Sequence, residues 1–318
     1  MKIKETVIKR TFAKVLINIV RYAFFISLSY ILLYPFFYIL ANALMSFSDS
    51  YDVTVTWVPK TLYFGNLVDA FKVFDVKSTA MRSFVYEIIG GLIQFCSTAV
   101  AAYGMARFNL KGKKLLFGIM ILNILVPSMM IITPSFVNYS HFDVFGILSL
   151  ISKIVGHDIR PNLIGTPLVF WLPSLFAVGL KGGLFIYIYM QFFKGLPKEL
   201  EEAAWIDGAG AWKTFLRIVI PSSGSAIITV LLFSMVWHWN DYYLANMYMN
   251  ENTFATAINN FTSQSIVNAL AYDTERANML TVQILLAGCL LFILPMIVFY
   301  LLIQRKFMAS VATSGIVG

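Results

Sequence analysis

Six stretches of about 20 or more apolar residues run through this 318-residue chain, at 22–45, 83–105, 115–137, 166–192, 222–246 and 279–303, and they leave few folds open to it. A helix of about 20 residues crosses a hydrocarbon core of roughly 30 Å, and inside that core every backbone polar group must be satisfied within the protein. Hydrophobic residues make up 59% of the chain and charged ones 13%, with a mean hydropathy of +0.76, which is too apolar for a water-soluble surface. The expected fold class is all-α, a polytopic membrane protein with six transmembrane helices forming one domain over 1–318.

Orientation follows from the basic residues, which are retained on the cytoplasmic side near span ends. Lys2, Lys4, Lys9, Arg10, Lys14 and Arg21 precede the first span against the single acid Glu5. Arg107, Lys111, Lys113 and Lys114 lie between the second and third, Lys194, Lys198, Lys213 and Arg217 between the fourth and fifth, and Arg305 and Lys306 after the sixth. The expected location is the cell membrane, with both termini cytoplasmic. The first apolar run is too long for a signal-peptide core and no small-residue cleavage site follows, so a retained span is expected. The net charge of +8 sits at span ends rather than in a patch interleaved with aromatics, which argues against nucleic acid. Cys96 and Cys289 fall inside spans, and no disulfide is expected.

Between spans, the loop 46–82 holds a β-branched alternating run at Val53 to Val58 and an amphipathic helix near Asn66 to Phe74. Pro127 and Pro134 interrupt the third span, as a packed kink or as a hinge.

The segment 193–221 is a polar island between apolar spans. Pro197 suits an early helical position, and Glu199, Glu201 and Glu202 crowd the first turns, where carboxylates favour the positive end of the helix dipole. Ala203 and Ala204 favour helix and let a partner approach closely. Asp207, Gly208 and Gly210 end that helix, and Phe215, Ile218 and Val219 recur at helical spacing in a second one. Three residues separate Glu202-Ala203-Ala204 from Gly208, nine more precede Ile218, and Pro221 closes the run.

That spaced pattern resembles the EAA loop of the permease subunits of binding-protein-dependent ABC importers, and within them the maltose-type carbohydrate branch. AYGMARFNLKGKK at Ala102 to Lys114, MQFFKGLPKELEEAA at Met190 to Ala204, WNDYY at Trp239 to Tyr243 and the closing LLIQRKFMASVATSGIVG resemble the same family. Ile220 stands where that family usually has Leu, and Val317 where it usually has Lys. The resemblance implies a type I importer permease that forms half of a pore for oligosaccharides. Glu202, Ala203, Ala204, Asp207 and Gly208 would contact a cytoplasmic ATPase. It implies a second permease, giving a heterodimer, two copies of that ATPase, which would bind ATP and Mg, and an extracellular solute-binding protein. The arrangement of the first loop and of Ala102 to Lys114 suggests a larger plant-derived or acidic oligosaccharide.

Ionisable groups at bilayer depth are costly, and each is a candidate for the transport path. Glu87 and Gln94 share a face of the second span, although Glu87 also suits a paired site near the outer interface. Lys181 precedes Gly182 and Gly183, where an interrupted helix would aim its amine into a cavity. Trp237, Asn240, Asp241 and Tyr242 combine aromatic faces for stacking on sugar rings with acceptors for hydroxyls; an interfacial aromatic belt explains the same residues.

No G-x-x-x-x-G-K-[ST] loop occurs, so ATP must bind another polypeptide. His141, His157 and His238 are scattered, which gives no metal constellation. No nucleophile elbow or catalytic carboxylate pair is evident, and no enzymatic activity is expected of this chain. Three rivals remain: an importer permease for a non-sugar solute; an ion-coupled secondary transporter using Glu87, Lys181 or Asp241; and a membrane enzyme using Glu87, His238 and Asp241.

Overall fold

The computed structural model describes residues 2–55 and 57–314, with side chains over 14–55 and 57–308. The side chains of Lys2, Lys4, Glu5, Lys9 and Arg10, and the tail around Val317, lie outside the described residues. Every regular element among the described residues is helical, and one isolated antiparallel bridge joins Met45 to Leu62. The principal helices are α1 (Lys2–Ala43), α2 (Gly65–Val73), α3 (Val76–Arg107), α4 (Lys113–Leu125), α5 (Ser128–Ser140), α6 (Leu168–Leu175), α7 (Gly182–Gly195), α8 (Glu199–Ile206), α9 (Gly224–Trp239) and α10 (Thr274–Ser314).

Packing separates the chain into two compact units, Met1–Val73 with Thr262–Leu291, and Phe74–Phe261 with Phe292–Gly318, where the hydropathy pattern suggests one domain. In the first unit, Asn66 at the start of α2 donates to the carbonyls of Ala43 and Met45 at 3.1 and 2.8 Å, and Tyr272 donates to Asp69 at 3.2 Å. The run from Val53 to Val58 forms no strand among its described residues. Asp52 instead accepts from the Thr54 amide at 2.9 Å and hydroxyl at 2.7 Å and pairs with Lys60. These local bonds favour a turn over a ladder.

Lys14–Ala43 within α1, α3, and Thr274–Met308 within α10 are each long and apolar enough to cross a membrane. Two further pairs pass that test only together, α4 with α5, bent by 105°, and Ala211–Ser222 with α9, bent by 85°. The first bend sits at Val126-Pro127, where both residues take extended backbone conformations. Proline lacks the amide needed to continue the helix and disfavours helical geometry in the residue before it.

The expected fourth span, 166–192, is two helices, α6 and α7, on either side of an irregular stretch in which Ala177 and Lys181 adopt left-handed φ values of 61° and 60°. Gly182 is needed at the join, because a Cβ there would overlap the Ala177 carbonyl. In α7, Phe185, Tyr189 and Phe193 recur every four residues and are completely buried, in one core with Ala99 and Ala102 of α3. Small residues let helices approach closely enough for dispersion forces to hold them together, which is the main source of association in lipid.

Candidate functional site

Two sites emerge in the second unit. The first is a cavity of about 360 Å³ whose walls include Asn123, Ser128, Lys181, Trp237, His238 and Asp241. Lys181 reaches it from the left-handed position before α7, and its ammonium lies 5.8 Å from the centre of the Trp237 ring. Trp237 is also stacked against Phe185 at 5.7 Å and Phe233 at 5.3 Å, so its ring is already engaged by aromatic neighbours.

Asp241 follows the end of α9 and divides its carboxylate. Oδ1 accepts from the amides of Tyr243 and Leu244, both at 3.1 Å, capping the short helix Tyr243–Tyr248. Oδ2 is buried and has no hydrogen-bond partner among the described residues. A buried acceptor without a donor is costly unless something else supplies one. His238, buried one turn before, donates from Nδ1 to the Ser234 carbonyl at 2.9 Å, and the Ser234 hydroxyl donates to the Gly91 carbonyl at the same distance.

The other residues predicted for the path stand elsewhere. Gln94 is fully buried, donates to the Leu180 carbonyl at 2.7 Å and accepts from the Ser174 hydroxyl at 3.4 Å, so its amide is committed to the break between α6 and α7. Glu87 sits in a π-helical turn, Phe84–Ile88, embedded in α3, a feature frequent at functional sites. It is buried and neither carboxylate oxygen has a hydrogen-bond partner among the described residues, yet it is not among the residues lining the cavity. Asn240 is exposed and folds its amide onto the Val236 carbonyl at 2.8 Å. Tyr242 is exposed beside Tyr243. The structure therefore gathers Lys181, Trp237 and Asp241 on one cavity and leaves Glu87, Gln94, Asn240 and Tyr242 off its walls. Asn123, which accepts from the Gly183 amide at 2.8 Å, was missed in the sequence because a lone amide in an apolar helix carries no spacing signal.

The second site is α8 and its surroundings. The amide of Ala209 donates to the Ala204 carbonyl at 2.9 Å and that of Gly208 to the Trp205 carbonyl at 3.0 Å, with Gly208 at φ 77°. This is a Schellman C-cap, which favours glycine at its left-handed position. Glu202, Ala203, Asp207 and Gly208 are exposed, Ala204 is buried, and Trp205, Ile206 and Trp212 present bare apolar surface. Exposed apolar groups clustered in a polar segment mark a surface that a partner covers.

Glu201, read from the sequence only as an acid at the start of this helix, is buried and ion-paired with Arg107 at the end of α3, Nε to Oε1 at 2.6 Å. Arg107 also donates to the Leu196 carbonyl at 2.7 Å, and Tyr103 donates to Glu201 Oε2 at 3.4 Å. Removing one member of such a pair leaves an uncompensated buried charge, at a cost of about 3–5 kcal/mol.

Residues 98–310 match the family described as the binding-protein-dependent transport system inner membrane component. The chain belongs to this family. It is 28% identical over 290 residues to the trehalose transport system permease protein SugB of Mycobacterium tuberculosis, covering 88% of this chain and 93% of that one. It is 25% identical over 287 residues to the melibiose/raffinose/stachyose import permease protein MelC of Bacillus subtilis, covering 89% and 91%. A solved bacterial ABC transporter involved in import of the acidic polysaccharide alginate superposes with a TM-score of 0.66 at 16% identity, over 92% of this chain and 96% of that one, which shows the shared fold. Membership favours the importer reading over an ion-coupled carrier: this is a multi-pass permease of a binding-protein-dependent importer.

Proposed function

We propose that this chain forms half of the pore of an oligosaccharide importer. It pairs with a second, non-identical permease and with two copies of a cytoplasmic ATPase that bind ATP and Mg and perform all the hydrolysis. An extracellular binding protein delivers the sugar, and both termini of the chain lie in the cytoplasm. The observation that carries this reading is α8, a short helix ended by Gly208 whose outer face, made of Glu202, Ala203, Trp205, Ile206 and Asp207, is open to a partner.

Closure of the ATPase on ATP moves α8 and switches the access of the cavity that holds Lys181, Trp237 and Asp241. The relatives named for trehalose and for melibiose, raffinose and stachyose support a sugar substrate. The narrower reading is a larger plant-derived or acidic oligosaccharide. The unpartnered Asp241 Oδ2 suits a hydroxyl donor, and the Lys181 ammonium suits an acceptor or a carboxylate on the substrate.

The test is ATP hydrolysis by the purified complex in lipid, with and without binding protein and a panel of neutral and acidic oligosaccharides, for wild type, Glu202→Lys and Gly208→Asp. Stimulation by a loaded binding protein that either substitution abolishes supports the reading. Uptake driven by an ion gradient without ATP overturns it.

A further inference from the structure

The covalent links of α8 to the rest of the bundle are turns. Leu196, Pro197 and Lys198 connect it to α7, and Asp207, Gly208, Ala209 and Gly210 connect it to the helical segment that begins at Ala211. Such short Gly- and Pro-containing turns transmit displacement poorly compared with packed side chains.

The end of α3, by contrast, grips this region at three points. Arg107 holds the Leu196 carbonyl before α8, and its guanidinium pairs with Glu201 within α8. One turn back, the Tyr103 ring stacks on Phe215 at 4.8 Å, beyond α8, and Phe215 also lies edge-on to Phe193 of α7 at 6.3 Å. The side chains of Tyr103, Arg107, Phe193, Glu201 and Phe215 are buried. The same helix continues to Gln94, whose amide is bonded to Leu180 in the cavity wall. Helix α3 thus touches both sites through buried polar contacts, although neither the sequence pattern nor the chain path connects them there.

We propose that Arg107 and Glu201 form the joint through which α8 drives α3, making α3 the element that carries ATPase motion to the cavity wall at Leu180. Arg107 and Glu201 are positioning residues in this scheme; neither needs to touch ATPase or sugar. The planar guanidinium suits the role because its fork serves the Leu196 carbonyl and the Glu201 carboxylate together, which a lysine ammonium on its flexible stem holds less rigidly. The proposal rests on the importer reading above.

The test uses the whole complex in lipid, with partner subunits lacking cysteine. Spin labels are placed on Cys96, which is exposed on α3, and on Leu200→Cys, exposed on α8, in a chain that also carries Cys289→Ser. The distance between the labels is measured without nucleotide and with ATP and vanadate. In the otherwise wild-type joint the expected result is one narrow distance that nucleotide leaves unchanged, because the two helices move as one body. In Glu201→Gln the distance shifts or broadens when nucleotide is added, while hydrolysis without binding protein persists. Should Glu201→Gln not assemble, Arg107→Lys reads the same joint with charge retained. A wild-type distance that itself shifts with nucleotide, or a variant distance that stays narrow, overturns the joint. A wild-type complex that hydrolyses no ATP overturns the importer reading instead.

Discussion

Gln94 donates its side-chain amide to the carbonyl of Leu180 across 2.7 Å, and so supplies from a neighbouring helix the hydrogen bond that the break between α6 and α7 leaves open. Irregular backbone at membrane depth is tolerated where protein satisfies it, and here a fully buried glutamine does so. Replacing it with leucine fills the site with apolar atoms and removes the donor. The expected cost is about 1–2 kcal/mol, within the range for an unsatisfied buried acceptor, read as a lower unfolding temperature of the complex in detergent. An unchanged temperature would mean that water replaces the amide.

Gly182 predicts a second stability effect at the same break. Its Cβ position collides with the Ala177 backbone carbonyl and comes within 3.1 Å of the Gln94 amide nitrogen. Gly182→Ala forces backbone to move, and an overpacking cost of about 1–3 kcal/mol is expected. Yield of folded protein should fall more for this substitution than for Gly195→Ala, whose Cβ position is empty.

Gly208 separates conformation from contact. Nothing lies within 4 Å of its Cβ position, yet φ is 77°, so Gly208→Ala costs only the left-handed penalty, roughly 1–2 kcal/mol. If α8 unwinds from its C-cap to relieve that strain, affinity for the ATPase subunits drops about tenfold, the change that 1.4 kcal/mol makes, while the unfolding of the membrane bundle is unaffected. Copurification of ATPase at graded salt would show it; full retention would place the docking surface elsewhere.

Asp241 offers a distinction within one side chain. Asparagine retains the capping acceptor for Tyr243 and Leu244 but loses the charge on the unpartnered side. For Asp241→Asn the expected result is a normally folded importer with about tenfold or more weaker half-saturation for sugar, since hydrogen bonds to charged groups contribute about 1.5–3 kcal/mol. Asp241→Ala removes the cap as well and should lower stability too. An unaltered uptake curve in Asp241→Asn would remove this residue from the path.

What the sequence determined by itself was whatever depends on neighbours along the chain. Apolar length specified membrane helices, because lipid leaves the backbone no other local solution. Pro127 marked a break, Gly182 and Gly183 marked another beside Lys181, and the glutamate-rich start and Gly208 end of α8 were visible as start and stop signals for one short helix. Periodicity gives the face of a helix without naming what that face meets. Glu201 and Glu202 are adjacent and chemically identical, yet one is buried on Arg107 and the other is exposed, because the partner arrives from the end of a different helix. For the same reason Gln94 and Glu87, both path residues by hydropathy, are a backbone tie and a buried acid outside the cavity lining, whereas Asp241 and Lys181 both line it. Only tertiary packing decides such pairings, since the free energy of a buried polar group is set by the donor or charge that remote chain brings within about 3 Å.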